Sequence, residues 1–210
     1  MQSLGILGGS FDPIHNGHLH IATQVERLTH LDEIRFIPCR LPILKEDTIA
    51  NADQRFEMLN LALARRSTWY SDDRELVRET PSYMLDTLIS LREEFHSASL
   101  NLILGWDSFQ DLNRWHRWRE LSDYANFVVV NRADVESTLS EELIEYVKSH
   151  RVFNANTLTD YKNGKIALLS CTELPISSRE IREKLRLGED VSNLVPANVL
   201  AYIHEHRLYI

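Results

Sequence analysis

Eleven residues near the amino terminus combine glycine, histidine and proline in a pattern suited to gripping phosphate: Gly8-Gly9-Ser10-Phe11-Asp12-Pro13-Ile14-His15-Asn16-Gly17-His18. Two glycines following a strand let backbone approach a ligand closely and turn amides toward phosphate oxygens. Gly17 permits tight packing where a helix would begin. His15 and His18 are three residues apart, and at a helix start that spacing puts both on one side. Their ring N–H groups then point at whatever sits over the helix N-terminus, a favourable place for an anion. A tight turn with two surface or capping histidines accounts for the histidines, but not for their company of glycines and proline after a strand. Gly5, Gly8 and Gly9 lack the G-x-G-x-x-G spacing of a dinucleotide-binding oxidoreductase. Spacing argues against a zinc site from His15, His18 and His20, because neither helix nor strand brings all three to one side and no nearby cysteine or carboxylate pattern completes it.

A second candidate lies late in the chain, at Ile176-Ser177-Ser178-Arg179-Glu180-Ile181-Arg182. Ser177 with Glu180 fits a capping box. That leaves Arg179 and Arg182 unexplained, since they put positive charge in first turns where the macrodipole disfavours it. An anion held between the arginines and the free N–H groups removes the conflict. In the middle of the chain, Thr80-Pro81 reads as a helix start, a capping hydroxyl followed by proline at the first helical position. Asp107, in Gly105-Trp106-Asp107, either accepts hydrogen bonds from ribose hydroxyls or caps the next helix. Trp115 and Trp118 stand at a spacing that usually serves packing. Lys45 and Arg132 are cations on expected loops, where solvated charge is the default.

Such residues need a scaffold that gathers loops from distant parts of the chain. Short apolar runs, Leu4 to Leu7, Ile34 to Ile37, Leu100 to Leu104, Phe127 to Val130 and Ile166 to Leu169, read as strands covered on both faces. Amphipathic helices lie between them. Their apolar faces are Ile21, Val25 and Leu28; Phe56, Leu59 and Leu63; Leu85, Leu88 and Ile89; Leu139, Leu143, Ile144 and Val147; and Val195, Val199, Tyr202 and Ile203. This alternation predicts an α/β fold: a Rossmann-like, doubly wound parallel sheet with helices on both faces and a C-terminal helical segment, a single domain over residues 1–210. Ligands then bind beyond the carboxyl ends of the strands.

With 210 residues and a net charge of −8, the chain is expected to repel polynucleotides, so any phosphate site must be a local cluster of cations and amides. No apolar run is long enough to span a bilayer, and no leader is visible. Cys39 and Cys171, far apart, read as reduced thiols. The expectation is a cytoplasmic protein acting on a small phosphorylated substrate, with no nucleic-acid or membrane partner. Monomer and homo-oligomer both stay open.

Gly9 to His18 resembles the G-[ST]-F-D-P-x-H-x-G-H signature of the nucleotidylyltransferase superfamily, whose two histidines bind ATP phosphates and stabilise charge at the transferred phosphorus. Residues 176–182 are similar to the superfamily's I-S-[SA]-T-x-I-R element, with Arg179 where threonine is usual. Glu79-Thr80-Pro81-Ser82-Tyr83-Met84-Leu85-Asp86-Thr87-Leu88 looks like the T-P-S-Y-T-x-x-T-L segment of bacterial nicotinate mononucleotide adenylyltransferases, in which amides near the threonine and serine meet the nicotinate carboxylate. Gly105 and Asp107 resemble that family's adenosine-side G-x-D element, and Trp115 to Trp118 its W-x-x-W stretch. Lys45 falls in a loop similar to P-x-x-x-P-P-H-K, with Ile43 and Leu44 replacing proline and histidine. Arg132 falls in an element similar to R-P-G, with Ala133-Asp134 replacing proline-glycine. The closing stretch from Leu194 to Tyr209 also matches the family and reads as scaffold.

The resemblance implies adenylyl transfer from ATP to nicotinate mononucleotide, with Mg²⁺ arriving on ATP and no metal site of the protein's own. It implies that His15, His18, Lys45 and Arg182 are catalytic. Gly8, Gly9, Ser10, Phe11, His15, His18, Gly105, Asp107, Ile176, Ser177 and Arg182 would bind ATP. Ser10, Phe11, Lys45, Thr80, Ser82, Tyr83, Trp115 and Arg132 would bind the mononucleotide, Trp115 by stacking and Trp118 remaining core. A phosphopantetheine adenylyltransferase would lack the Thr80 to Leu88 and Trp115 features. A non-catalytic nucleotide-binding regulator would bind ATP without releasing pyrophosphate.

Overall fold

The computed structural model describes residues 1–40, 48–132, 139–172 and 174–210, with the backbone alone at positions 131 and 132. In chain order the main elements are β1 (Ser3–Gly9), α1 (Asn16–Thr29), β2 (Glu33–Pro38), α2 (Ala52–Leu63), β3 (Trp69–Ser71), α3 (Met84–Glu94), β4 (Ser99–Gly105) and α4 (Trp106–Gln110). They continue with α5 (Leu121–Tyr124), β5 (Asn126–Arg132), α6 (Glu141–His150), β6 (Arg151–Val152), β7 (Ile166–Cys171), α7 (Ser178–Arg186) and α8 (Ala197–Glu205). Every expected strand is present, each extended by a residue or more. The strands β3 and β6, three and two residues long, were too short to leave an apolar run in the sequence.

Among the described residues the strands form a seven-stranded sheet in the order β3-β2-β1-β4-β5-β7-β6. The pairs β1–β4, β4–β5, β5–β7 and β6–β7 are parallel, with Leu4 opposite Leu100 and Leu102 opposite Phe127. Winding outward from β1 in both directions makes this a doubly wound sheet. The carboxyl end of β1, where Gly8 and Gly9 lie, stands at the point where strand order reverses. The middles of the central strands are apolar because both of their faces are covered: Phe127, Val128, Val129 and Val130 are all fully buried.

Contact density divides the chain into two compact units. One comprises Met1–Leu7, Ile21–Ile34 and Tyr83–Thr172; the other comprises Gly8–His20, Arg35–Ser82 and Glu173–Ile210. In the first, the register of β4 and β5 is pinned by buried polar side chains. Asn101 donates to the carbonyl of Leu4, and Asn126 donates to that of Tyr161. Arg92, from α3, donates to the carbonyls of Phe95, Ala98, Tyr124 and Lys162, closing the turns at that end of the unit. In the second unit α2 packs on α8 and β3.

Several helical faces differ from expectation. On α2 the buried face is Arg55, Met58, Leu59 and Leu63, with Phe56 half-exposed. On α6, Leu143 and Val147 are buried while Ile144 is exposed, and Leu139 precedes the N-cap Ser140. The helix expected from Thr80-Pro81 begins at Met84 instead, capped by Tyr83 without a side-chain hydrogen bond. The reason is that Ser82 is engaged elsewhere: its hydroxyl accepts from the backbone amide of Arg40 at 3.1 Å, tying residues 80–83 to the chain after β2. At α7 the expectation holds in part, for Ser177 caps the helix by accepting from the Glu180 amide.

Candidate active site

The residues of the first and late loops lie within one unit, and their arrangement follows from local backbone demands. Gly9 ends β1, and its carbonyl accepts from the Cys39 amide at 2.9 Å. A Cβ at Gly9 would come within 3.2 Å of the Phe11 ring. Phe11 itself adopts a left-handed backbone, φ 47°, a conformation costly for an aromatic residue unless its surroundings enforce it. They do: the ring is buried, 6.1 Å from Phe36 and edge-on to His18 at 5.0 Å. The peptide bond between Asp12 and Pro13 is cis.

His15 and His18 are on one side, as their spacing requires. Their rings stack with centroids 3.7 Å apart and planes 25° from parallel. The backbone amide of His15 donates to Nδ1 of His18 at 3.3 Å, so the neutral His18 ring carries its proton on Nε2. His15 is buried, its Nδ1 has no hydrogen-bond partner among the described residues, and burial lowers its pKa to about 4. At neutral pH this imidazole is uncharged, a pairing that permits the close stack. Gly17 leaves room for it, because a Cβ there would lie 3.0 Å from His15 Nδ1 and 3.4 Å from the Ile176 carbonyl.

The first and late loops are tied together through the backbone. Arg182 donates to the carbonyl of Asp12 at 2.8 Å and lies 3.5 Å from its carboxylate. Ser178 donates to the Pro13 carbonyl, and the Asn16 amide to the Leu194 carbonyl. The electrostatic conflict of an arginine near the α7 N-terminus is therefore relieved, at Arg182, by the Asp12 carboxylate. Arg179 and Ser177 are exposed, and Ile176 is half-exposed. Gly8 and Ser10 are half-exposed at the end of β1, and Thr80 is exposed.

Two groups that hold this loop were missed from sequence. The Asp12 carboxylate, 1 % exposed, accepts from the amides of Ile49 and Ala50 and from the Tyr209 hydroxyl. Arg55, fully buried on the first turn of α2, donates to the Ser10 carbonyl at 2.7 Å and to the Arg40 carbonyl at 3.4 Å. Asn51 and Gln54 form a capping box at the start of that helix. The box could have been found from Asn51-Ala52-Asp53-Gln54. Burial of an arginine could not, since Arg is exposed by default.

Gly105, Asp107, Tyr83, Trp115 and Arg132 lie in the other unit. Gly105 caps α4 with open space where a Cβ would be, and Asp107 is exposed in the first turn, so it does not cap the helix. The rings of Tyr83 and His116 lie 4.3 Å apart, tilted by 32°. Trp115 is half-exposed, whereas Trp118 is buried and meets Tyr146 edge-on. The two tryptophans are not on one helix: Arg117, left-handed at φ 51°, separates two short 3-10 turns. Arg132 closes β5 opposite Cys171. Lys45, with Ile43 and Leu44, lies outside the described residues, as do Ala133 and Asp134. Among the described residues no group of three His, Cys, Asp or Glu side chains could hold a metal ion, and no helix is long and apolar enough to cross a membrane.

Comparison with known proteins bears on this arrangement. The Cytidylyltransferase-like family model matches residues 6–184, which include both loops. A relative from Legionella pneumophila (strain Lens), named "Probable nicotinate-nucleotide adenylyltransferase", is 37% identical over 210 residues, covering 100% of both chains. This chain belongs to the nicotinate-nucleotide adenylyltransferase family. A second such relative, from Methylococcus capsulatus, is 41% identical over 207 residues, covering 98% of this chain and 99% of its own. The fold is shared with Plasmodium falciparum nicotinic acid mononucleotide adenylyltransferase complexed with NaAD, at a TM-score of 0.75 and 22% identity over 100% of this chain and 98% of that one. The doubly wound sheet is that shared fold, and the stacked histidines lie at the start of the helix that follows its first strand.

Proposed function

We propose that this chain transfers the adenylyl group of ATP to nicotinate mononucleotide, forming nicotinate adenine dinucleotide and pyrophosphate. The observation that carries the reading is the His15–His18 stack beside a loop anchored by Ser178 and Arg182 to α7. Family membership narrows the acceptor to a pyridine mononucleotide.

An oxygen of the mononucleotide 5′-phosphate attacks the α-phosphorus of ATP in line. The bond from that phosphorus to the bridging oxygen breaks, and pyrophosphate leaves. No protein nucleophile is needed, so the protein's work is positioning and stabilising charge on oxygens. Gly8, Gly9, Ser10 and Phe11 bring backbone to the nucleotide. His18 donates from Nε2 and His15 from its ring to the α- and β-phosphates. Ser177, Ile176, Arg182 and Lys45 serve the phosphate tail. Gly105 and Asp107 take the adenosine side. Thr80, Ser82, Tyr83, Trp115 and Arg132 take the mononucleotide. Amides favour the carboxylate of nicotinate over an uncharged carboxamide.

Mg²⁺ enters as the MgATP substrate. Mg²⁺ keeps several waters and binds readily through substrate phosphates, so it can arrive already on ATP. The place of work is the cytoplasm, where ATP is supplied. The deciding assay follows pyrophosphate release from ATP with nicotinate mononucleotide, nicotinamide mononucleotide or phosphopantetheine. Turnover is expected with the first. Rapid turnover confined to the third, or ATP binding without turnover on any, would overturn the assignment.

A further inference from the structure

We propose that Tyr209, the penultimate residue of the chain, is a positioning residue for adenylyl transfer, acting through the carboxylate of Asp12. The inference rests on the function proposed above and adds a residue to its machinery. After α8 the Leu208 amide donates back to the Ile203 carbonyl at 2.9 Å, with Arg207 left-handed at φ 51°. Glycine or asparagine is the usual residue in that helix-ending conformation. Tyr209 is left-handed as well, at φ 64°. Two non-glycine residues in this region cost energy that something must offset.

Burial of Leu208 and Tyr209 supplies the offset, while Ile210 beyond them is exposed. The curl delivers the Tyr209 hydroxyl to Asp12 Oδ1 at 2.7 Å, in the interior and 197 residues away in sequence. Burial and the neighbouring Asp12 carboxylate both raise the phenol's pKa, so the hydroxyl keeps its proton and donates. Asp12 has three other attachments: the Ile49 amide at 2.9 Å, the Ala50 amide at 3.0 Å and the Arg182 guanidinium. Asp12 also follows Phe11, whose ring abuts His18. The Ile49 and Ala50 amides take one carboxylate oxygen each, and the Tyr209 hydroxyl, sharing Oδ1 with Ala50, narrows the rocking that the amides alone would leave. Tyr209 therefore sets the torsion of Asp12, and through it both the backbone leading to His15 and the amides before α2.

The experiment compares wild type with Tyr209→Phe, which removes one hydroxyl and keeps the buried ring. Tyr202→Phe, on α8 beside His206, serves as the control. For Tyr209→Phe, kcat should fall roughly tenfold, the size of one hydrogen bond to a charged group, with KM for ATP and nicotinate mononucleotide within about twofold. Amide exchange at Ile49 and Ala50 should quicken by about the same factor, and the melting midpoint should stay well above the assay temperature. Tyr202→Phe should change none of these. An unchanged kcat, a loss residing in KM, or a kcat loss without faster exchange at Ile49 and Ala50 would each overturn the proposal. The exchange measurement needs no substrate, so it separates failure here from failure of the proposed reaction, which the wild-type assay alone reads.

Discussion

His15 and His18 stack 3.7 Å apart, with the backbone amide of the first bonded to the ring of the second. Two cationic rings would not tolerate that separation without an anion between them or beside them. The stack is therefore a state of low charge, and phosphate binding should change its protonation.

Titration follows from this arrangement. Burial depresses His15 to about 4, below its ordinary value of 6.5. Between those pH values the unfolded chain binds more protons than the folded one, so stability rises with pH in that window. It is fully present above 6.5 and is lost as pH falls toward 4, by up to roughly 3 kcal/mol. Urea unfolding at pH 7 and pH 5 should show about 2 kcal/mol of that loss in wild type and a smaller one in His15→Gln. Proton NMR of the ring should show the His15 titration moving upward when ATP binds, since nearby negative charge favours imidazolium.

His18→Ala tests charge stabilisation at the transferred phosphorus. Removing one preorganised donor costs about 3 to 4 kcal/mol of transition-state energy, so turnover should fall on the order of a hundredfold to a thousandfold. Pyrophosphate release at saturating substrates measures it. A change of only a few-fold would remove His18 from the mechanism.

Gly17→Ala separates folding from function. Alanine is favoured over glycine in a helix by up to about 1 kcal/mol. Yet the new methyl would sit 3.0 Å from Nδ1 and 3.1 Å from Cε1 of His15, forcing the stacked ring to move. The melting midpoint should change little while kcat falls roughly tenfold or more. Calorimetry and steady-state kinetics on the same preparation decide it.

Arg55 should matter chiefly for stability. It is fully buried, and its removal would leave the Ser10 and Arg40 carbonyls without this donor and open a cavity beneath the loop. Arg55→Ala should lower unfolding free energy by about 3 kcal/mol in denaturant titration.

The two tryptophans should respond differently. Trp118→Ala, truncating a buried side chain, should cost about 3 to 5 kcal/mol of stability. Trp115→Ala should leave the melting midpoint nearly unchanged and raise KM for nicotinate mononucleotide, with little effect on KM for ATP. If stability fell equally in both, Trp115 would be a packing residue and its role on the pyridine ring would be withdrawn.

Much of this was determined locally and could be read without coordinates. Strands such as Phe127 to Val130 announce themselves because both faces of a parallel sheet must be apolar. The His15–His18 pairing is set by helical spacing, and the Ser177 cap by its own short-range hydrogen bond. Only the tertiary structure decided where the helix after Thr80 begins, because Ser82 is claimed by an amide 42 residues earlier. It also decided that Arg55 is buried and that Tyr209 reaches Asp12 across 197 residues. Partners so remote in sequence leave no periodic trace, since their meeting depends on strand order and on how α2 and α8 pack. Chemistry carried by neighbours in the chain is written there; chemistry carried by neighbours in space waits for the fold.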